Sequence, residues 1–141
     1  MWKLFRSGRP ESNDVVQLGA SMNLYVTRES VAAGDDVDAP HARTFALPQG
    51  ASLETALATV MSARYLPSIS GGLATWSVAS GIPLAVIAQQ WPAPRMLFGA
   101  GDDLSVLDRA PGLLRLHFNY HAQLDPEIVL EVLRRLRLRA E

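Results

Sequence analysis

Three carboxylates and one imidazole stand within seven residues of this chain, in the most chemically loaded segment of the sequence. They are Asp35, Asp36, Asp38 and His41, with Gly34 and Pro40 at the flanks. Carboxylate oxygens at this density could hold a hard cation such as Mg²⁺ or Ca²⁺. Paired carboxylates can also do acid–base chemistry when burial separates their pKa values. The ligand spacing of an EF-hand is absent, however. The flanks favour a solvated turn, in which the acids would keep ordinary pKa values.

This segment can be interpreted in three ways: as an exposed turn, as a protein-binding loop, or as a metal or catalytic site. Between Arg28 and Arg43 there are four carboxylates and no lysine or arginine, which concentrates negative charge on a nearly neutral chain. Localised charge of this kind speeds the encounter with a basic partner surface and helps to select it. If Asp102 and Asp103 lie nearby in the fold, they add two further negative charges to the patch.

A short echo links the two acidic segments. The tetrapeptide Ala-Gly-Asp-Asp at residues 33 to 36 recurs at residues 100 to 103, and Arg28 and Arg95 each stand five residues before its alanine. A duplicated unit of strand, loop, strand and helix would produce this pattern. Gly-Asp is also a common turn dipeptide, so coincidence is the alternative.

Two histidines share the polar face of a predicted strand late in the sequence. That face carries Arg115, His117, Asn119 and His121. In a regular strand, positions i and i+4 are roughly 13 Å apart, too far for both histidines to bind one ion. The alternatives are an ordinary solvated sheet face or the wall of a small-molecule pocket, which would make the protein a sensor.

Trp91 is the candidate aromatic anchor of an interface. It opens the sequence Trp-Pro-Ala-Pro, where two prolines break strand pairing, so we expect it to be partly exposed. Exposed tryptophans are enriched among the residues that dominate binding energy. Trp76, in contrast, lies within a predicted strand and is expected in the core.

Motifs of several enzyme classes are absent from the sequence. There is no cysteine, which excludes thiol nucleophiles and thiolate metal ligands. There is also no Gly-x-Ser-x-Gly elbow, no P-loop and no complete dinucleotide-binding fingerprint. We therefore expect no cofactor, and the sequence favours a protein without catalytic activity.

Composition and charge define the class of protein. A chain of 141 residues with 48% hydrophobic and 19% charged residues is typical of one globular domain. A net charge of −1 argues against nucleic acid or an anionic membrane as partner. The longest apolar run, residues 82 to 88, is far too short to span a bilayer. The first residues carry no stretch typical of a signal peptide, so we expect a cytoplasmic location.

Hydrophobic periodicity and turn residues predict the elements that position these groups. Strands are predicted at residues 24 to 27, 43 to 47, 75 to 79, 84 to 89, 95 to 98 and 113 to 120. A helix begins after the capping residue Ser52, ends before Pro67, and has an apolar stripe at Leu53, Ala56, Leu57, Val60 and Met61. A second helix begins at Asp125 and Pro126 and is expected to bury Ile128, Val129, Val132, Leu133 and Leu136.

These elements predict an α+β fold. We expect a single domain over residues 22 to 141, preceded by a poorly ordered lead-in at residues 1 to 21. The expected architecture is a mixed or antiparallel sheet of five to six strands, with two helices packed against one face. The order strand, strand, helix, strand, strand over residues 22 to 90 suits a β-grasp-like core, among other topologies.

One resemblance adds a functional expectation. Residues 24 to 30 and 34 to 41, with the segments Tyr-Leu-Pro-Ser-Ile at residues 65 to 69 and Ala-Thr-Trp at residues 74 to 76, resemble parts of small uncharacterised bacterial proteins. Some of these are similar to immunity proteins of toxin systems, which bind and block a cognate toxin. The resemblance covers roughly residues 22 to 90. It implies a protein partner and no catalytic residue.

Two functional hypotheses follow. The first is a non-catalytic interaction protein of the immunity type, which binds a basic surface on a toxin domain. Its candidate partner-binding residues are Asp35, Asp36, Asp38, His41, Trp91, Asp102 and Asp103. The second is a small metal-dependent hydrolase, in which the four titratable residues between positions 35 and 41 are the metal ligands.

Overall fold

The computed structural model describes residue 18, residues 21 to 99 and residues 101 to 140. The predicted lead-in therefore lies outside the described residues, apart from Leu18 and Ser21. Leu18 is buried in the hydrophobic core, and its backbone N–H donates a hydrogen bond to the Ala51 carbonyl at 3.0 Å.

Seven strands and two α-helices make up the regular structure of the described residues. They are β1 (Met22–Arg28), β2 (Arg43–Leu47), α1 (Leu53–Ser62), β3 (Thr75–Ala79), β4 (Pro83–Ala88), β5 (Arg95–Met96), β6 (Arg109–Ala110), β7 (Leu113–Tyr120) and α2 (Pro126–Ala140). Two short 3₁₀ helices, Ala33–Asp38 and Leu104–Val106, lie in the connections. The predicted α+β class with two helices is confirmed, and β6 is a short strand that the sequence did not predict.

All seven strands belong to one mixed sheet. Its order is β2-β1-β7-β3-β4-β5, with β6 beside β7. β1 and β7 run parallel in the centre, and the other pairs are antiparallel. A central parallel pair flanked by two antiparallel neighbours, with α1 packed across it, is a β-grasp-like arrangement. The central partner of β1 is β7, however, so this core extends beyond residue 90.

The first helix forms where its capping residue predicts. The Ser52 hydroxyl accepts a hydrogen bond from the Thr55 N–H at 3.0 Å, which satisfies one of the free amides of the first turn. Leu53, Ala56, Leu57 and Val60 are then buried on one stripe, as predicted. The helix packs on the sheet face that carries Trp76, so the predicted core position of this tryptophan is confirmed.

The two helices cover opposite faces of the sheet, which differs from the expected arrangement on one face. Successive strand residues point to opposite faces. Trp76 and Ile87, which are paired across β3 and β4, face the α1 side, while Val86 clusters with Val129 and Leu130 of α2. Because a helix covers each face, the side chains of β4 are buried on both sides of the sheet. A continuous apolar run is typical of a strand covered in this way.

The second helix also presents a different face from the one expected. It buries Val129 and Leu130, with Leu133 half-buried, whereas Ile128, Val132 and Leu136 are exposed. Apolar residues occur nearly all round this helix, so periodicity did not identify the inward stripe. No helix in the described part of the chain has the length and apolar character needed to cross a membrane.

Candidate functional site

The acidic segment forms a loop between β1 and β2, and one of its carboxylates points inward. We call residues 33 to 41 the acidic loop. Arg28, the last residue of β1, donates from Nη1 to Asp35 Oδ2 at 2.7 Å and from Nη2 to Oδ1 at 3.1 Å. The Val31 N–H also donates to Asp35 Oδ2, at 3.0 Å. The two side chains are only 10% and 23% exposed. Asp35 therefore anchors the base of the loop.

Asp35 does not keep the ordinary pKa expected for a solvated turn. The hydrogen bond from Arg28, helped by the one from Val31, lowers the pKa of the Asp35 carboxyl from 3.8 to about 2. A carboxylate that accepts charged and backbone donors favours its ionised form. The expectation of a fully solvated acid is wrong at this position, because the side chain turns towards the end of β1.

His41 closes the other side of the loop, and its side chain is only 7% exposed. Its Nε2 lies 2.9 Å from the Ser30 hydroxyl, and its carbonyl accepts a hydrogen bond from the Tyr65 hydroxyl at 2.7 Å. Burial raises the pKa of Tyr65 to about 12, so this donor keeps its proton across the physiological range. His41 adopts φ +60°, a left-handed conformation that costs a non-glycine residue about 1–2 kcal/mol and needs surrounding contacts to hold it.

The tip of the acidic loop faces solvent. Val37 is 84% exposed, and Asp36 and Asp38 on either side of it are exposed as well. Neither of these two carboxylates forms an ion pair or a side-chain hydrogen bond among the described residues. The loop thus presents an apolar residue between two free negative charges.

The four predicted metal ligands do not converge. Asp35 Oδ2 is 3.7 Å from His41 Nε2 and already accepts from Arg28, while Asp36 and Asp38 are exposed to solvent. Across residues 18, 21 to 99 and 101 to 140, no three histidine, aspartate or glutamate side chains are grouped so as to hold a metal ion. The geometry therefore offers no support for the hydrolase alternative.

Trp91 lies at the same end of the sheet as the acidic loop. It follows the last residues of β4, and that end of β4 lies level with the ends of β1 and β7. Three interstrand spacings separate β1 from β4, roughly 14 Å. The Trp91 ring is half-buried against the α2 cluster around Val86, and the Arg95 guanidinium stacks over it at 4.0 Å. Trp91 is therefore partly exposed, as the sequence predicted.

A groove beside Trp91 extends this end of the molecule. It has a volume of about 430 Å³ and lies between the end of α1 and strands β3 and β4. Met61, Trp76 and Ile87 contribute apolar walls, and the exposed Arg64 lies at its rim. The groove continues past Trp91 along the Pro92–Pro94 turn.

Asp102 and Asp103 lie at the opposite end of the sheet and do not join the acidic patch. They follow β5, which runs away from the acidic loop, and they line a pocket of about 470 Å³ with Pro83 and Arg137. The Gly99 N–H and Arg137 lower the pKa of Asp102. The Ser105 N–H lowers the pKa of Asp103, which caps the 3₁₀ helix after it. Both acids therefore have local roles.

The repeated tetrapeptide does not correspond to repeated structure. Arg28 pairs with Asp35, whereas Arg95 pairs with Glu127 at 2.8 Å and leaves Asp102 to Arg137. The strands after the two tetrapeptides also differ: the first is followed by the edge strand β2, and the second is followed by the short β6 and then by the central β7. Ala100 itself lies outside the described residues. The contacts favour coincidence over duplication.

The two histidines of the predicted polar face, one in β7 and one just after it, contact different neighbouring strands. His117 Nδ1 lies 2.7 Å from the Thr27 hydroxyl of β1, and His121 Nε2 lies 2.8 Å from the Ser77 hydroxyl of β3. Burial lowers the pKa of His121, against a smaller opposing effect of Glu29. A pocket of about 170 Å³ lies on this face beside His117. The two histidines share no site.

Several residues that shape the acidic loop were not singled out from the sequence. Arg28 and Ser30 supply its anchors, Tyr65 reaches it from beyond α1, and Glu29 accepts the Tyr120 N–H at 2.7 Å. Residues 28 to 30 directly precede the acidic loop, so their closeness to it could be read from the sequence. The contacts from Tyr65 and Tyr120 depend on the tertiary fold.

Comparison with protein-family models, curated proteins and solved structures finds no match to this chain. The fold and the site therefore define the chain as an α+β protein that carries an anchored, solvent-facing acidic loop.

Proposed function

We propose that this chain is a non-catalytic interaction protein, which binds a basic surface of another protein through Asp36, Val37 and Asp38. The observation that carries the proposal is the arrangement of one exposed apolar side chain between two exposed carboxylates, which have no ion-pair partner in the described part of the chain, on a loop anchored at both ends. Such a tip suits a partner surface with an apolar depression between lysine or arginine side chains.

The anchoring of the loop supports a binding role because order present before binding reduces the entropy lost on binding. Asp35 and His41 are held by Arg28, Ser30 and Tyr65, so the backbone of the tip is held in the free protein. Their role in binding is therefore to position the loop. The contacts to the partner come from the tip itself.

Trp91 supplies a second contact region in this proposal. It lies at the same end of the sheet and borders an apolar groove. Tryptophan and arginine are enriched at the energetic centres of interfaces, and the stacked Trp91 and Arg95 present both. A partner that covers this end would contact the loop tip and the groove together.

The partner we propose is a toxin domain that the protein neutralises, which is the class that the sequence resemblance suggests. The negative charge is local, since the whole chain has a net charge of only −1. Local charge steers a basic partner to one end of the molecule without general attraction to polycations.

Binding measurements with charge-neutral variants test this proposal. Tagged wild-type chain is recovered from its native cells, and the protein bound to it is identified and purified. We expect Asp36→Asn with Asp38→Asn to slow association on the order of tenfold at low salt and to weaken its salt dependence. Asp103→Asn is the matched control, because asparagine keeps the capping interaction and the change lies at the opposite end.

Two results would contradict the proposal. One is equal binding by the double variant and the wild type. The other is equal weakening by Asp103→Asn. Growth rescue tests the toxin assignment separately: the wild-type chain, co-produced with the identified partner, should restore growth, and the double variant should restore less.

A further inference from the structure

The last helix carries a second row of apolar residues, and each of them is at least half exposed in the described part of the chain. Its residues, with one residue just before the helix, are Leu124, Ile128, Val132 and Leu136, exposed by 58%, 61%, 50% and 53%. Residues spaced by four lie one above another on a helix surface, so these side chains form one continuous row. We call this row the outward stripe. Exposed apolar patches of this kind mark interaction sites more often than scattered single residues do.

The charges of α2 are divided along its length. Asp125, Glu127 and Glu131 lie at the beginning of the helix, and Arg134, Arg135 and Arg137 lie towards its end. The helix dipole has the complementary polarity, with its positive end at the acidic residues. An approaching surface of one charge sign would match only half of this helix. Within one chain, Glu127 pairs with Arg95 and Arg137 pairs with Asp102. Glu131 pairs with Arg134 and Arg135. The two halves of the helix still differ in the sign of their charge, so a second α2 in antiparallel orientation would match both halves.

We propose that the outward stripe is a homodimer interface, in which α2 of one copy packs antiparallel to α2 of a second copy about a two-fold axis near Val132. A two-fold interface uses the same patch twice, so the patch must be complementary to itself. With the axis at Val132, Ile128 of each copy faces Leu136 of the other, and Val132 faces its own equivalent. The acidic half of each helix then lies beside the basic half of the other.

A parallel pair of the same helices would be opposed by the same charges. It would bring the arginine-rich halves together and align the two helix dipoles in the same direction. The antiparallel pair is therefore the arrangement that the residues favour.

The dimer would leave the acidic loops free. α2 begins at the end of the sheet where the acidic loop lies, and it runs towards the end where Arg137 contacts Asp102. Antiparallel pairing of α2 thus places the two acidic loops at opposite ends of the dimer. Each loop could bind its own partner, and dimerisation does not depend on that function.

Sedimentation velocity over a range of concentrations tests the interface directly. We expect the wild-type chain to be a dimer and Val132→Glu to shift it to monomer, with the dissociation constant raised at least about a hundredfold, because two like charges would meet at the axis. Val37→Glu is the matched control, since it also places a carboxylate at an exposed valine, and it should remain a dimer. Circular dichroism checks that both variants are folded.

Cysteine cross-linking tests the orientation. The chain has no cysteine, so each introduced thiol is unique. Val132→Cys should form a disulfide-linked dimer, because facing Cα atoms can approach within the about 4.4–6.8 Å that a disulfide needs. In the antiparallel pair, two Ile128→Cys residues would be about 12 Å apart along the axis and should not link. An equal mixture of Ile128→Cys and Leu136→Cys should link.

Each remaining outcome would overturn the proposal. A wild-type monomer at all concentrations would mean that the stripe stays open or that another part of the chain covers it. A dimer that persists in Val132→Glu would have a different interface. Efficient self-linking of Ile128→Cys without the mixed product would show a parallel pair.

Discussion

Arg28 and Asp35 form a two-point ion pair at the base of the acidic loop, with nitrogen-to-oxygen distances of 2.7 and 3.1 Å. This pair separates two roles that look identical in the sequence. The inward carboxylate holds the loop, and the exposed carboxylates of Asp36 and Asp38 have no ion-pair partner among the residues that the structure describes. The position of the charged loop tip therefore depends on an ion pair that holds only while Asp35 is ionised.

The protein should lose the stability that ionised Asp35 contributes when the pH becomes acidic. Its pKa is lowered from 3.8 to about 2 in the folded protein. A lowered folded-state pKa contributes stability that is complete above pH 3.8 and is lost as the pH falls towards 2. Urea unfolding of the wild type and Asp35→Asn at pH 2 to 6 measures this. The difference in unfolding free energy between the two proteins should shrink as the pH falls from 6 to 2. A difference that is constant with pH would contradict the anchor role.

His121 should produce a separate loss of stability at milder pH. Burial lowers its pKa from 6.5, and the nearby Glu29 only partly opposes this. The unfolded chain then binds the proton more readily than the folded one, so stability falls as the pH drops below 6.5. Chemical unfolding between pH 7.5 and 5 should show a weaker pH dependence in His121→Gln than in the wild type. Parallel curves for the two proteins would remove His121 as the cause.

Local sequence signals predicted the elements whose stability is decided locally. The Ser52 cap and its apolar stripe identified α1, and two apolar runs identified strands β3 and β4. The start of α2 followed from Asp125, whose side chain accepts the Glu127 N–H at 2.9 Å. In each case the signal and its partner lie within a few residues.

The parts that were missed depend on contacts between distant segments. The sequence shows three aspartates in the acidic loop, and only the position of Arg28 at the end of β1 selects Asp35 as the inward one. The separation of Asp102 from the loop follows from the strand order, which pairs β1 with β7 and sends β5 to the far edge. Charge density alone suggested one patch where the fold makes two sites.

Opposite-face packing predicts that two neighbouring residues of β4 both belong to the core. Val86 faces α2 and Ile87 faces α1, and each is at most 3% exposed. Ile87→Ala should lower the free energy of unfolding by about 2–5 kcal/mol and Val86→Ala by about 2 kcal/mol. Arg115→Ala on the solvated face of β7 is the comparison, with an expected cost below about 1 kcal/mol. Equilibrium denaturation checks all three. A cost for Val86→Ala as small as that for Arg115→Ala would mean that α2 does not pack on β4.

Gly81 should tolerate a side chain less well than Gly50, although both have positive φ. Their φ values are +76° and +79°, so alanine at either position has a similar conformational cost of about 1 kcal/mol. A Cβ at Gly81 would lie 3.3 Å from the Val106 carbonyl oxygen, whereas a Cβ at Gly50 would meet nothing within 4 Å. The Gly81 contact is with the backbone two residues before Asp108, whose N–H donates to the Ser80 carbonyl, so this segment has little freedom to move away. Thermal unfolding of Gly81→Ala and Gly50→Ala should therefore show the larger loss for Gly81, and equal losses would indicate that the segment around Val106 yields to the added methyl group.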